Sequence, residues 1–223
     1  MMFQEVLSDV HPADRAAGGL QVLPGVKLWP RYFHKNEQSR LVVEIFRLAC
    51  HAPFYRPCMP RSGKAFSVEE TNFGLLGWYS DRSGYRYEKT HPVTRRPWPP
   101  MPQILEQLWS SLTGCAAPPE CCLVNLYRGG ARMGQHQDRD EDALDAPVLS
   151  VSLGDDALFR IGGTTRRSPS RSFMVKSGDV VVFGGVARLA FHGIDRVIEN
   201  SSGLLPSGGR LNLTLRRVTA LPQ

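Results

Sequence analysis

The sequence predicts an α+β fold whose second half is a pair of antiparallel sheets. Three observations point to it. The C-terminal run Arg210-Leu211-Asn212-Leu213-Thr214-Leu215-Arg216 alternates polar and apolar residues without a break, the period of a strand with one face in a core. Pro147-Val148-Leu149-Ser150-Val151-Ser152-Leu153 and Gly178-Asp179-Val180-Val181-Val182-Phe183 add short β-branched runs. In the first half the apolar residues recur at helical spacing instead.

Taken in order, residues 1–19 show no periodicity and read as a mobile arm. From Asn36 to about Cys50, Leu41, Val42, Ile45, Phe46 and Ala49 lie on one helical face, and Pro53 follows as a stop. Residues 57–100 are rich in Gly, Pro and aromatics and predict hairpins and loops, the place for a lid over a substrate. A second helix starts at Pro102 and runs to about Leu112, with Ile104, Leu105, Leu108 and Leu112 on one face. Strands dominate from Cys122 onward, so two sheets pack face to face with the helices outside.

A chain of 223 residues is long enough for one catalytic domain, here residues 20–218. No run of about eighteen apolar residues suits a membrane helix, and no secretory signal opens the chain, which predicts a soluble, cytoplasmic protein. Its five cysteines form an odd set without a Cys-x-x-Cys pair, which argues for reduced thiols rather than disulfides or a zinc site.

His136 and Asp138 are two residues apart, so in extended backbone both side chains point the same way and can share a metal ion, with His192 as a third ligand. Two imidazoles and a carboxylate form the facial triad of non-haem iron(II) oxygenases, which leaves positions open for co-substrate and oxygen. The two arginines on one face of the C-terminal strand need an anion before them. A dianionic keto acid answers both features: its keto and C1 carboxylate oxygens chelate iron, and its far carboxylate pairs with an arginine.

These residues, with Thr71-Asn72-Phe73-Gly74, Leu76-Gly77-Trp78, Gly84-Tyr85-Arg86-Tyr87, Pro97-Trp98-Pro99, Asn125-Leu126-Tyr127, Gln135-His136-Gln137-Asp138 and Val181-Val182-Phe183-Gly184-Gly185, closely resemble the AlkB family. These are Fe(II)/2-oxoglutarate-dependent dioxygenases that dealkylate nucleic acids, and the bacterial repair branch looks nearest. The likeness runs from about Leu20 to Val218. It implies a double-stranded β-helix, or jelly roll, with residues 57–100 as a nucleotide-recognition lid. It implies that His136, Asp138 and His192 bind Fe(II), that Arg210 grips the distal carboxylate of 2-oxoglutarate, and that Arg216 lies near the carboxylate that chelates iron. Asn125, Leu126, Tyr127 and Asn212 would complete the co-substrate wall. Trp78 and Tyr85 would bracket the substrate base, Asp140 would read its exocyclic amine, and Arg86, Tyr87 and Arg166 would add substrate contacts. Phe183 and Arg139 stand where close relatives often have Trp and Lys, and Lys64–Glu70 also departs, placing two acids near the presumed base pocket.

The resemblance implies oxidative demethylation of bases such as 1-methyladenine and 3-methylcytosine in single- or double-stranded DNA, and in RNA as a further polymer, by a monomer consuming 2-oxoglutarate and O2. A net charge of +6 is compatible with such a partner. Basic residues concentrate in two stretches, Arg82, Arg86, Lys89, Arg95 and Arg96 against Glu88, and Arg160, Arg166, Arg167, Arg171 and Lys176 with no acid, as expected if both flank a phosphate backbone. The alternatives are a 2-oxoglutarate oxygenase acting on protein or a small molecule, and a nucleic-acid-binding protein with a vestigial oxygenase site.

Overall fold

The computed structural model describes residues 16–220. Its first segments are β1 (Leu20–Leu23), β2 (Val26–Trp29) and α1 (Lys35–Ala49), followed by β3 (Glu69–Gly74), β4 (Gly77–Asp81), β5 (Gly84–Glu88) and α2 (Gln103–Thr113). The strand-rich half contains β6 (Cys121–Tyr127), β7 (Met133–His136), β8 (Val148–Gly154), β9 (Ala157–Ile161), β10 (Arg171–Val175), β11 (Val180–Phe183), β12 (His192–Val197) and β13 (Arg210–Arg216). A seven-stranded sheet, β1-β2-β11-β8-β13-β6-β3, packs on a four-stranded one, β10-β9-β12-β7. Every pairing is antiparallel, and the result is the expected jelly roll.

Both helices fall within a residue or two of where periodicity put them, because each has one apolar face to bury. Leu41, Val42, Ile45 and Leu48 of α1 join Leu105, Leu108 and Trp109 of α2 against the outer face of the large sheet. The leucines of β13 point into that layer and are fully buried; each such burial contributes about 1.5–3 kcal/mol. The opposite face of β13 lies between the sheets, so Arg210, Asn212, Thr214 and Arg216 are buried too. Val26, Val148, Val181 and Phe183 from the large sheet meet Phe159, Ile161, Val175 and Ile194 from the small one in a second core.

Two features depart from the expectations. Residues 69–74 do not belong to the lid; they are β3, which pairs with β6 at the edge of the large sheet. The hairpin β4–β5 forms a two-stranded sheet of its own, fixed to β3 by Asn72, whose amide donates to Trp78 O at 3.0 Å and accepts from Trp78 N at 3.0 Å. Of the arm expected over residues 1–19, residues 1–15 lie outside the described residues. Beyond them the chain is tied down, with Trp29 Nε1 donating to Ala16 O at 2.8 Å.

Candidate active site

The end of β7 and the start of β12 lie side by side, with His192 directly opposite His136. Gly193 permits that approach, since a Cβ there would sit 2.6 Å from Met133 O and 2.9 Å from the Gly134 backbone. Asp138 follows just past β7, and one ligand atom from each of His136, Asp138 and His192 lies within 4.8 Å of the others. His136 Nε2 is 3.6 Å from Asp138 Oδ1, and His192 Nε2 is 3.8 Å from Asp138 Oδ2. Both Nδ1 atoms lie 3.0 Å from backbone carbonyls, of Gly134 and Ala190. A carbonyl only accepts, so each Nδ1 carries the proton and each Nε2 turns a lone pair to the cluster.

Electrostatics keep Asp138 and His192 in metal-binding form. Burial pushes the Asp138 carboxyl up, but Arg216 and the two imidazoles outweigh it and hold the group well below the usual carboxylate range. Burial, helped by His136, pushes His192 down to about 4, so its ring is neutral near pH 7. Arg216 holds Asp138 Oδ2 through Nε at 3.0 Å and Nη2 at 2.9 Å. The donor set therefore fits Fe(II): one ionised carboxylate and two imidazoles whose Nε2 atoms face it. His136 is 37% exposed while Asp138 and His192 are 4% and 8% exposed, so the cluster opens to solvent on the His136 side.

Behind Asp138 lies a buried charge network that the sequence did not announce. Glu141, which in the run Asp138-Arg139-Asp140-Glu141-Asp142 looks like part of a solvated loop, is 5% exposed. It accepts from the Tyr87 hydroxyl and pairs with Arg188 at 3.0 Å and Arg216 at 3.5 Å. Arg188 also donates to Asp138 O at 2.6 Å and Ala146 O at 2.7 Å. The phenol of Tyr87, expected at the substrate, is thus engaged with the support of the metal cluster.

Arg210 stands at the other end of β13, 1% exposed, with its guanidinium carbon 5.1 Å from the centre of the Tyr127 ring. Its Nη2 donates to Ser152 Oγ at 3.0 Å, while Nε and Nη1 make no hydrogen bond. No acidic side chain among the described residues pairs with it. A buried cation so placed fits a ligand carboxylate. Asn125 and Asn212 are directly opposite each other on β6 and β13 and share this face. Leu126 points the other way, into the helix-side core.

The aromatic pair takes a form the sequence did not predict. Trp78 and Tyr85 stack directly on one another, with centroids 5.5 Å apart at 20°. A base sandwiched between them would need roughly 7 Å, so here they form one platform rather than two walls. Trp78 Nε1 donates to Asp140 at 3.0 Å, which hitches the platform to the loop that carries Asp138. Arg86 is taken up within the hairpin by Asp81 at 2.8 and 2.9 Å and Glu88 at 2.6 Å. Arg160 is likewise paired, with Asp195 at 2.7 Å, so the two basic stretches carry less free charge than a count suggests. Arg166 is exposed, donates to Gln135 O at 3.3 Å and lies 4.9 Å over the Phe191 ring, beside both histidines of the cluster.

Known proteins resemble this chain over most of its length. The family profile described as the 2OG-Fe(II) oxygenase superfamily matches residues 25–216. A protein of Caulobacter vibrioides named alpha-ketoglutarate-dependent dioxygenase AlkB homolog is 53% identical over 211 residues, covering 91% of this chain and 94% of that one. Alpha-ketoglutarate-dependent dioxygenase AlkB of Escherichia coli K12 is 40% identical over 191 residues, covering 84% and 88%. The solved structure of OsALKBH1 superposes with a TM-score of 0.76 at 29% identity, covering 89% of this chain and 99% of that one.

Proposed function

The chain belongs to the AlkB family of the 2OG-Fe(II) oxygenase superfamily, and from that premise we propose that it demethylates N-alkylated bases of nucleic acid, such as 1-methyladenine and 3-methylcytosine in DNA, with RNA as a further polymer. The observation that carries the reading is what surrounds the exposed ligand His136. The Trp78–Tyr85 platform bonds Asp140, two residues from Asp138, and the exposed Arg166 bonds the carbonyl of Gln135, next to His136.

His136, Asp138 and His192 hold the iron. Bound there, iron with O2 and 2-oxoglutarate supplies the oxidation that hydroxylates an N-alkyl carbon and yields succinate and carbon dioxide. Arg210 orients the co-substrate by pairing with its distal carboxylate, and Arg216 keeps Asp138 ionised and aimed. A base methylated at its pairing nitrogen is cheap to flip out of a duplex. It is also cationic, which suits an aromatic face and the Asp140 carboxylate. The hydroxylated group then leaves as formaldehyde. All donors come from one chain, in keeping with a monomer, and the five free cysteines suit a reducing cytoplasm. Among the described residues no helix is long and apolar enough to cross a membrane.

The test is the mass of a single-stranded oligonucleotide carrying one 1-methyladenine, incubated with protein, Fe(II), 2-oxoglutarate and oxygen. We expect loss of one CH2 unit that requires both iron and 2-oxoglutarate. Succinate without that loss would move the reading to a protein or small-molecule substrate. Trp78→Ala should lower the binding preference for the methylated over the unmodified oligonucleotide by about tenfold, since base–aromatic stacking contributes about 1–3 kcal/mol. An unchanged ratio would remove Trp78 from base recognition.

A further inference from the structure

Among the described residues, every buried side-chain nitrogen or oxygen that lacks a hydrogen-bond partner lies on one wall of one chamber. These atoms are both carboxyl oxygens of Glu70, Oδ1 of Asn125, and Nε and Nη1 of Arg210. Strand register gathers them. Tyr55, Glu70, Asn125, Asn212 and Ser152 stand opposite one another in a row across neighbouring strands, so their side chains share the face turned toward the small sheet. Arg210 is two residues from Asn212 on that face.

Glu70 is the member without an account. It is 0% exposed, and only β6 separates its strand from β13, so the two strands lie two spacings or roughly 10 Å apart, a gap that two long side chains and a short dicarboxylate between them can fill. Burial pushes its carboxyl up to about 8, with Arg216 as the opposing cation. The other groups coupled to it are phenols: Tyr55, raised by burial and by Glu70, and Tyr127, pushed by burial up to about 12. At neutral pH Glu70 is thus an acid with its proton on, and its O–H has nothing to donate to. A carboxylate is the acceptor that makes the strongest bond with such a donor.

We propose that Glu70 is a co-substrate-binding residue, whose carboxyl donates a hydrogen bond to a carboxylate oxygen of the 2-oxoglutarate held on the same wall by Arg210. This rests on the reading of the chamber as the 2-oxoglutarate site. Arg210 answers one end of the dianion by charge, and Glu70 adds a donor without adding a negative charge that would repel it. The sign of the pH dependence follows. The protonated form binds, so affinity is level below the Glu70 transition near 8 and falls above it by up to about tenfold per pH unit.

The experiment is calorimetric titration of 2-oxoglutarate into Mn(II)-loaded protein, which does not turn over, from about pH 6 to about pH 9 around that transition. Wild type should lose affinity above pH 8. Glu70→Gln, neutral and still a donor, should bind within about threefold of wild type at pH 7 and stay level with pH. Glu70→Met, similar in volume without a donor, should weaken binding about tenfold or more at every pH. The proposal is overturned if Glu70→Met binds like wild type, or if Glu70→Gln keeps the wild-type fall with pH. A purely structural Glu70 would move the thermal midpoint in both variants and leave affinity unchanged. If wild type binds no 2-oxoglutarate, the chamber is misread and the proposal falls with it. If Arg210→Met abolishes binding while both Glu70 variants match wild type, the chamber stands and only the role of Glu70 is lost.

Discussion

Replacing His136 with alanine should abolish demethylation, lowering turnover by at least about a thousandfold, while the protein stays folded and still binds methylated oligonucleotide. The two halves of that expectation have separate physical grounds. His136 supplies one of only three donor atoms that converge in the cluster, so its loss removes a third of the protein's hold on the metal. Its side chain is 37% exposed at the end of β7, and among the described residues its one polar contact besides Asp138 is Nδ1 to Gly134 O. Truncation there leaves no buried group stranded, and the thermal midpoint should move by only about 2 °C. Activity, Mn(II) stoichiometry by electron paramagnetic resonance and the melting curve read the three consequences together. Full activity in this variant would mean that the metal is held elsewhere.

Asp138→Ala would abolish turnover as well, but for mixed reasons. Asp138 answers Arg216, which is 4% exposed and bonded to it through two nitrogens. Its removal takes from a buried guanidinium its two shortest bonds, leaving the longer pairing with Glu141, as well as deleting a ligand, so lost activity could not be assigned to metal binding alone. The difference in burial between these neighbouring ligands makes His136 the cleaner position to test.

Much of this site was legible in the sequence because it is written in local periods. The alternation of β13 gave the facing of Arg210, Asn212, Thr214 and Arg216 directly, and the helical spacing of α1 and α2 set their ends. The spacing of His136 and Asp138 brought two ligands together without reference to the rest of the chain. What stayed hidden depends on partners far apart. Arg188 and Glu141 are 47 residues apart and Arg216 and Asp138 are 78 apart, and nothing near either residue signals that two loops and a strand will bury them together. Glu141 looked solvated because its sequence neighbours are charged. The same limit hid the place of β3. Its apolar content is low, and only the ladder to β6 shows that Glu70 faces inward. Trp78 and Tyr85 were identifiable as a pair, but their stacking on each other is set by the register of the β4–β5 hairpin, where Trp78 pairs with Tyr87 and Ser80 with Tyr85.

The hidden network has the larger consequence for stability. Arg188→Met should destabilise the fold by about 3–5 kcal/mol, the range seen when one partner of a buried ion pair is removed. For a chain of this length that lowers the thermal midpoint by about 10 °C. Arg188 is 3% exposed and Glu141 5%, and methionine fills most of the lost volume while satisfying none of the three groups that Arg188 bonds. The Glu141 carboxylate would then rely on the Tyr87 hydroxyl and on Arg216, drawing Arg216 away from Asp138 and loosening the ligand it steadies. Activity should therefore fall along with stability, although Arg188 touches neither metal nor substrate. A double-mutant cycle separates the causes. Glu141→Gln removes the charge that Arg188→Met strands, so the double variant should be more stable than the sum of the single effects predicts, by about 1.5 kcal/mol or more. Strict additivity, or a cost under about 1 kcal/mol for Arg188→Met alone, would mean that the pair is no more than a surface-like contact and that Arg216 keeps Asp138 in place without it.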